Sequence, residues 1–175
     1  MEELSIQIRE ARATDIEHLP EIERSAAQIF KQEKDLAWLA DDEVQPTSLH
    51  QNYIQSRNSW VAVHDEIPVG FINGVEYNNT FHICELSVSE AWQSQGVGRA
   101  LLNAVEQIMR NRGIAFMTLT TFKEVPWNAP FYEKLGYVTL LEKDLSIFLM
   151  DILDEEAEAG FDPHSRCAMQ KALQE

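Results

Sequence analysis

Residues 93–100 contain a spacing that suits phosphate binding, Gln93-x-x-Gly96-x-Gly98-Arg99. A strand-like run precedes the segment at 82–88, and the apolar spacing of an amphipathic helix follows it. N–H groups at a helix N-terminus are unpaired and carry partial positive charge, and glycine lets the backbone turn sharply close to a ligand. Strand, glycine loop and helix in this order predict a pyrophosphate-binding loop, and a turn without a ligand is the alternative.

The loop differs from two common phosphate-binding motifs. A Walker loop requires Gly-Lys-Ser or Gly-Lys-Thr, which this segment lacks. The dinucleotide fingerprint requires a third glycine, and the chain has Leu101 at that position. The sequence therefore indicates a phosphate-binding loop of another class.

A second motif, NAPFYEKLGY, covers residues 128–137. In this order and spacing, the two segments together resemble the GNAT superfamily of acetyl-CoA-dependent N-acetyltransferases. The first is similar to the acetyl-CoA motif Q/R-x-x-G-x-G/A, and the second is similar to the FYEKLGF motif. The close resemblance covers 81–137, whereas residues 1–80 match only in the expected order of elements.

The resemblance implies a fold and a domain organisation. The expected fold is α+β, with a mixed, mostly antiparallel central sheet that is flanked by helices and splayed at the acetyl-CoA site. Strands and helices do not alternate strictly along the sequence, which favours this class over a doubly wound fold. We expect a single N-acetyltransferase domain over 1–175, with 81–137 as its acetyl-CoA-binding and catalytic core.

The resemblance also assigns the coenzyme contacts. Backbone N–H groups of one loop would hold the pyrophosphate of coenzyme A, and this loop comprises Gln93, Ser94, Gln95, Gly96, Val97, Gly98, Arg99 and Ala100. Leu86, Ser87 and Val88 match a strand whose main chain pairs with pantetheine as a neighbouring strand would. Asn128 matches a position that often bonds the coenzyme, and capping of the following helix is its alternative role.

Tyr132 occupies the position of the general acid in the family motif. A free tyrosine has a pKa of about 10 and a thiol a pKa of about 8.5, so a tyrosine keeps its proton at neutral pH and can donate it to a nascent thiolate. The alternative is that Tyr132 packs in the core beside Phe131, as aromatic pairs on helices commonly do.

Two residues are candidates for the general base. His82 stands where the histone-acetylating branch of the superfamily has Glu and the aralkylamine branch has His. Cys84 replaces a second histidine of the latter branch, so a paired-histidine relay is absent. In a regular strand His82 and Glu85 point to opposite faces. We favour His82 over Glu85 as the base, and deprotonation by water alone is the third interpretation.

Composition limits the partners and the location. The net charge of −15 disfavours nucleic acid and favours cationic ligands. The two cysteines suggest no disulfide, and no cluster of residues has metal-ligand spacing, so we expect no metal. The N-terminal sequence lacks the apolar region of a signal peptide, and no run of residues is long enough to span a membrane. We expect a cytoplasmic protein that does not associate with membranes.

The predicted activity is acetyl transfer to a primary amine, in which the amine of a small, cationic molecule attacks acetyl-CoA directly in a ternary complex. One alternative is a non-catalytic acyl-CoA sensor or interaction module on the same fold. Another is acetylation of a protein or peptide amine. A homodimer is left open by the sequence.

Two segments have ambiguous patterns. Residues 31–47 could cover the acceptor, or could form a surface loop anchored by Trp38. Residues 166–173, RCAMQKAL, have helical propensity, whereas the resemblance implies a last strand there.

Overall fold

Residues 5–174 of the chain are described by the computed structural model. Their strands are β1 (Gln7–Glu10), β2 (Ser59–His64), β3 (Ile67–Tyr77), β4 (Thr80–Val88), β5 (Phe116–Phe122), β6 (Val138–Thr139) and β7 (Arg166–Ala172). Their α-helices are α1 (Leu19–Ala26), α2 (Thr47–Gln55), α3 (Val97–Asn111), α4 (Ala129–Lys134) and α5 (Ile147–Glu158). Short 3₁₀ helices lie between several of these elements.

The strands form one sheet in the order β1-β2-β3-β4-β5-β7-β6. Strand β4 pairs with β5 in parallel, from Thr80 opposite Phe116 to His82 opposite Thr118. Antiparallel pairs join β1 to β2, β2 to β3, β5 to β7 and β6 to β7. This mixed and mostly antiparallel sheet confirms the predicted α+β class.

The chain divides into two compact units. In the described part of the chain, the first unit comprises 5–75 and 83–111. Its core includes a cluster formed by β2, β3, α1 and the segment before α1, with the residues Ala11, Leu19, Ile22, Val61, Val63 and Phe71. The predicted apolar stripe of α3 is buried at Val97, Leu101 and Val105, since these positions recur at helical spacing.

The second unit comprises 76–82 and 112–174 in the described residues. Strand β7 pairs with β5 over its whole length, from Arg166 opposite Phe122 to Ala172 opposite Phe116. The strand implied by the resemblance is therefore correct, and helical propensity is overridden because β7 exchanges backbone hydrogen bonds with β5 along its length. Helix α5 also belongs to this unit, where Glu156 forms an ion pair with Arg166 at 3.0 Å.

A 3₁₀ helix precedes the first α-helix. A cap at Thr14 or Asp15 would start an α-helix there, but residues 13–18 form a 3₁₀ helix and α1 begins at Leu19. The carboxylate of Asp15 instead accepts from the backbone N–H of Arg12 at 2.7 Å and pairs with Arg9 at 2.7 Å. Of the helices in 5–174, none has both the length and the apolar character needed to cross a bilayer.

Candidate functional site

The glycine loop of the first unit joins the end of β4 to the start of α3. Ser94 and Gly96 both adopt left-handed backbone conformations, with φ of 62° and 86°. The N–H of Ala100 donates to the carbonyl of Gly96 at 3.0 Å, which is the first α-helical hydrogen bond of α3. Helix geometry leaves the preceding N–H groups, of residues 97–99, without an acceptor inside the helix. This arrangement can bind an anion such as a pyrophosphate.

Gln93 holds this loop in place through its side chain. Its Nε2 donates to the carbonyl of Val88 at 3.0 Å and to that of Ala26 at 3.2 Å. The motif glutamine therefore ties the loop to the ends of β4 and α1. Binding of the coenzyme by Gln93 stays a prediction. Since the side chain of Gln93 bonds to Val88 and Ala26, its main chain is the part that would contribute to the phosphate-binding loop.

Gly70 is a supporting residue that the sequence analysis did not identify. A Cβ at this position of β3 would lie 3.1 Å from the carbonyl oxygen of Ser87 and 3.3 Å from Cδ1 of Leu101. Glycine thus allows the end of β4 and the first turns of α3 to pack closely on β3. The available signal was an isolated glycine within a strand pattern, which often marks a close backbone approach.

Strand β4 places three polar side chains in the first unit. Cys84 forms a hydrogen bond with Tyr53, and burial raises the pKa of the Cys84 thiol. A thiol of raised pKa is a poor nucleophile, which disfavours an acyl-cysteine intermediate. Ser87 donates from its hydroxyl to Oε1 of Glu85 at 2.9 Å. The candidate base Glu85 is thereby oriented by Ser87 two residues along the strand.

Tyr132 lies on α4 in the second unit and is 8% exposed. Its ring packs edge-to-face against Phe131 at 5.1 Å and against Tyr137 at 5.6 Å between ring centroids. The N–H of Tyr137 donates to the carbonyl of Tyr132 at 3.1 Å, after the turn at Gly136. The predicted packing beside Phe131 is therefore present, and it fixes the ring that would carry the acidic hydroxyl.

Asn128 precedes α4 but does not cap it through its side chain. Its Nδ2 donates to the carbonyl of Trp127 at 3.3 Å, while its buried Oδ1 has no hydrogen-bond partner among residues 5–174. A buried acceptor without a donor costs about 1–3 kcal/mol. The helix-cap alternative thus leaves the Asn128 oxygen unexplained, and a donor on a ligand would satisfy it.

His82 is buried in the second unit, at 4% exposure. Its Nδ1 lies 2.9 Å from the hydroxyl oxygen of Thr118, and its ring packs edge-to-face on Phe148 of α5. Burial lowers the pKa of His82 to about 4, and the charge of Glu156 opposes this only in part. The imidazole is therefore neutral at pH 7. No local pattern predicted the contribution of α5, because Phe148 is distant from His82 in the sequence.

The predicted site residues fall in both units. The first unit brings together the glycine loop, the end of β4 and Glu85, and the second holds His82, Asn128 and Tyr132. Within residues 5–174, no group of three or more His, Cys, Asp or Glu side chains is arranged to hold a metal ion.

Comparison with known proteins identifies relatives over most of the chain. The sequence model described as the acetyltransferase (GNAT) family matches residues 21–137. A protein of Bacillus subtilis named as an acetyltransferase is 29% identical over 91 residues, which cover 52% of this chain and 57% of that relative. The spermidine N(1)-acetyltransferase of Thermoplasma acidophilum is 25% identical over 157 residues, which cover 85% of this chain and 97% of the relative.

A solved structure shares the fold. The crystal structure of the PaiA N-acetyltransferase from Thermoplasma acidophilum, in complex with coenzyme A, superimposes with a TM-score of 0.69. The match covers 96% of this chain and 99% of that one, at 22% sequence identity.

Proposed function

Since this chain belongs to the GNAT acetyltransferase family, we propose that it transfers the acetyl group of acetyl-CoA to a primary amine of a small molecule. The glycine loop carries the proposal, because left-handed residues 94 and 96 precede a helix whose first N–H groups lack intrahelical acceptors. The whole chain would act as one N-acetyltransferase domain, and we expect it in the cytoplasm.

The residues already described supply the contacts proposed for acetyl-CoA. The N–H groups of 93–100 would bind its pyrophosphate, and the main chain of 86–88 would pair with pantetheine. The Oδ1 of Asn128, which lacks a donor in the described residues, would accept a hydrogen bond from the coenzyme.

The reaction needs one proton donor. The nitrogen lone pair attacks the thioester carbonyl, the C–N bond forms, and the C–S bond breaks with its electron pair on sulfur. Tyr132 would donate its hydroxyl proton to this thiolate, since tyrosine has the higher pKa of the two groups. Its packing against Phe131 and Tyr137 holds the ring in one orientation.

The reaction also needs a proton acceptor, because most amines arrive protonated. His82 is our favoured base because the resemblance places a base at that position. Burial lowers its pKa to about 4, which keeps the imidazole neutral at pH 7 but also makes it a weaker proton acceptor than a free histidine. Glu85 and water are the alternatives. A lower kcat in His82→Gln but not in Glu85→Gln would assign the base to His82, the reverse result would assign it to Glu85, and two unchanged rates would leave water.

The acceptor is proposed to be a small cationic amine. A net charge of −15 attracts cations, and the Thermoplasma relative is named for acetylating spermidine. The direct test is release of free thiol from acetyl-CoA in the presence of polyamines, aryl-alkyl amines, amino acids, aminoglycosides or short peptides. We expect release with small amines. Coenzyme binding without release for any acceptor would contradict the proposal and favour an acyl-CoA sensor.

A further inference from the structure

Glu23 is a carboxylate that points inward from α1 in the first unit. Both of its oxygens lie within hydrogen-bond distance of the backbone N–H of Gln45, at 3.0 and 3.3 Å. Burial raises the pKa of Glu23. No Lys, Arg or His of residues 5–174 forms an ion pair with it. A half-buried carboxylate held by a single N–H group retains the capacity to accept further hydrogen bonds.

Asn73 on β3 adds a second acceptor, which is connected to Glu23 through Gln45. This side chain is fully buried, and its Nδ2 donates to Oε1 of Gln45 at 3.0 Å. Its Oδ1 has no hydrogen-bond partner in the described part of the chain. Because Oδ1 and Nδ2 share one carbon atom, the unpartnered oxygen lies at the end of the side chain that meets Gln45. Gln45 thus links the Asn73 amide to the Glu23 carboxylate.

Tyr53 shows that the Glu23 charge is felt inside the unit. Burial and the hydrogen bond with Cys84 of β4 raise the pKa of the Tyr53 hydroxyl, and the charges of Glu85 and Glu23 raise it further. Tyr53 is 8% exposed, so the carboxylate acts on a buried group. The surroundings of Glu23 and Asn73 therefore present negative charge and hydrogen-bond acceptors.

A ligand that fits these groups must carry positive charge and donate hydrogen bonds, as an ammonium group does. A neighbouring carboxylate favours the protonated form of an amine. A nitrogen held at Glu23 is therefore not the one that attacks the thioester, because the attacking nitrogen must have a free lone pair. The acceptor needs a second nitrogen for the reaction.

We propose that Glu23 and Asn73 bind a non-reacting ammonium group of the acceptor, which makes the substrate class diamines or polyamines. This inference rests on the proposed acetyltransferase function and specifies its acceptor. It also gives residues 31–47 a role, because Gln45 lies in that segment, where Trp38 is 43% exposed and is not a buried anchor.

The test compares 1,4-diaminobutane with n-butylamine, which has the same carbon chain and one ammonium group fewer. Binding is measured by calorimetry in the presence of saturating coenzyme A, for the native protein and for Glu23→Gln and Glu21→Gln. Glu21 is a matched control because it is an exposed carboxylate on the same helix. A glutamine at position 23 still offers an oxygen to the N–H of Gln45, so the local structure should be retained.

We expect the native protein to bind the diamine with an affinity roughly tenfold or more above that for n-butylamine, because one charge-assisted hydrogen bond provides about that factor. Glu23→Gln should lose this preference, and Glu21→Gln should keep it. Equal affinity for the two amines, or equal losses in the two variants, would overturn the inference. Thiol release with n-butylamine at the rate seen for the diamine would overturn it too, and would leave the proposed acetyl transfer intact.

If Glu23→Gln fails to fold, as a melting curve would show, Asn73→Leu replaces it. We expect this variant also to lose the diamine preference, because it removes the unpartnered oxygen. A retained preference would overturn the inference.

Discussion

At the scale of single residues, the hydrogen bonds of buried polar atoms bear on the alternatives that the sequence left open. The side chain of Asn128 makes no cap bond, which disfavours the helix-cap alternative for this residue. Cys84 bonds to Tyr53 and has a raised pKa, as a structural thiol does. The two aromatic neighbours of Tyr132 place its ring but do not by themselves give it a catalytic role.

Tyr132→Phe should lower kcat by about 100-fold, a typical contribution of general acid catalysis, with little change in affinity for acetyl-CoA. Phenylalanine keeps the ring contacts with Phe131 and Tyr137, so only the hydroxyl is lost. Tyr137→Phe is the matched control, since it removes a buried hydroxyl from the same aromatic cluster. Steady-state kinetics and calorimetry check this prediction, and equal turnover in native protein and Tyr132→Phe would contradict the acid role.

His50 and His82 should make the fold sensitive to acid. Burial lowers the pKa of each to about 4, against 6.5 for an unperturbed histidine. At a pH between about 4 and 6.5, these two histidines bind more protons in the unfolded chain than in the folded chain. The free energy of unfolding should therefore be undiminished above pH 6.5 and fall as the pH drops towards 4, by roughly 3 kcal/mol for each histidine.

Urea unfolding between pH 7.5 and 4.5 measures this slope. His50→Gln and His82→Gln should each flatten it, whereas His18→Gln, at an exposed position, should leave it unchanged. An unaltered slope in both buried variants would show that other groups cause the acid sensitivity.

At the scale of elements, local patterns predicted the strand, glycine loop and helix that surround residues 93–100. The strand-like run predicted at 82–88 lies within β4, which begins two residues earlier, at Thr80. Strand β7 could not be predicted from propensity, since its pairing with β5 decides its conformation. The candidate site likewise could be predicted only in part. The glycine loop is a local motif, which the sequence reveals. The contacts of His82 with Phe148 and of Asn73 with Gln45 join distant segments, so no local pattern predicts them.

Gly96→Glu should weaken acetyl-CoA binding at least tenfold, because it places a negative charge beside the predicted pyrophosphate position. A tenfold loss corresponds to the repulsion of roughly one pair of like charges. Gly113→Glu is a matched control. Both glycines have left-handed φ, 86° and 80°, and a Cβ at either would meet no atom within 4 Å. Both variants should therefore lose similar stability, about 1 kcal/mol. Similar coenzyme affinities for the two variants, measured by calorimetry, would remove the loop from the site.

At the scale of the whole molecule, membership of the GNAT family and a net charge of −15 suggest the same kind of chemistry. The family provides acetyl transfer, and the acidic surface favours cationic acceptors. Neither feature identifies the acceptor, because one fold serves many substrates. The proposed ammonium site at Glu23 and Asn73 supplies that missing specificity from individual side chains.

Transfer of an isotopically labelled acetyl group tests the central claim most directly. The protein is incubated with labelled acetyl-CoA and 1,4-diaminobutane, and the labelled carbonyl carbon is followed by NMR. We predict that the thioester signal decreases while an amide signal appears in the diamine, and that Tyr132→Phe slows both changes. Persistence of the thioester signal with 1,4-diaminobutane and with each of the other small amines, or its conversion to free acetate without any amide, would contradict the proposed acetyl transfer to amines.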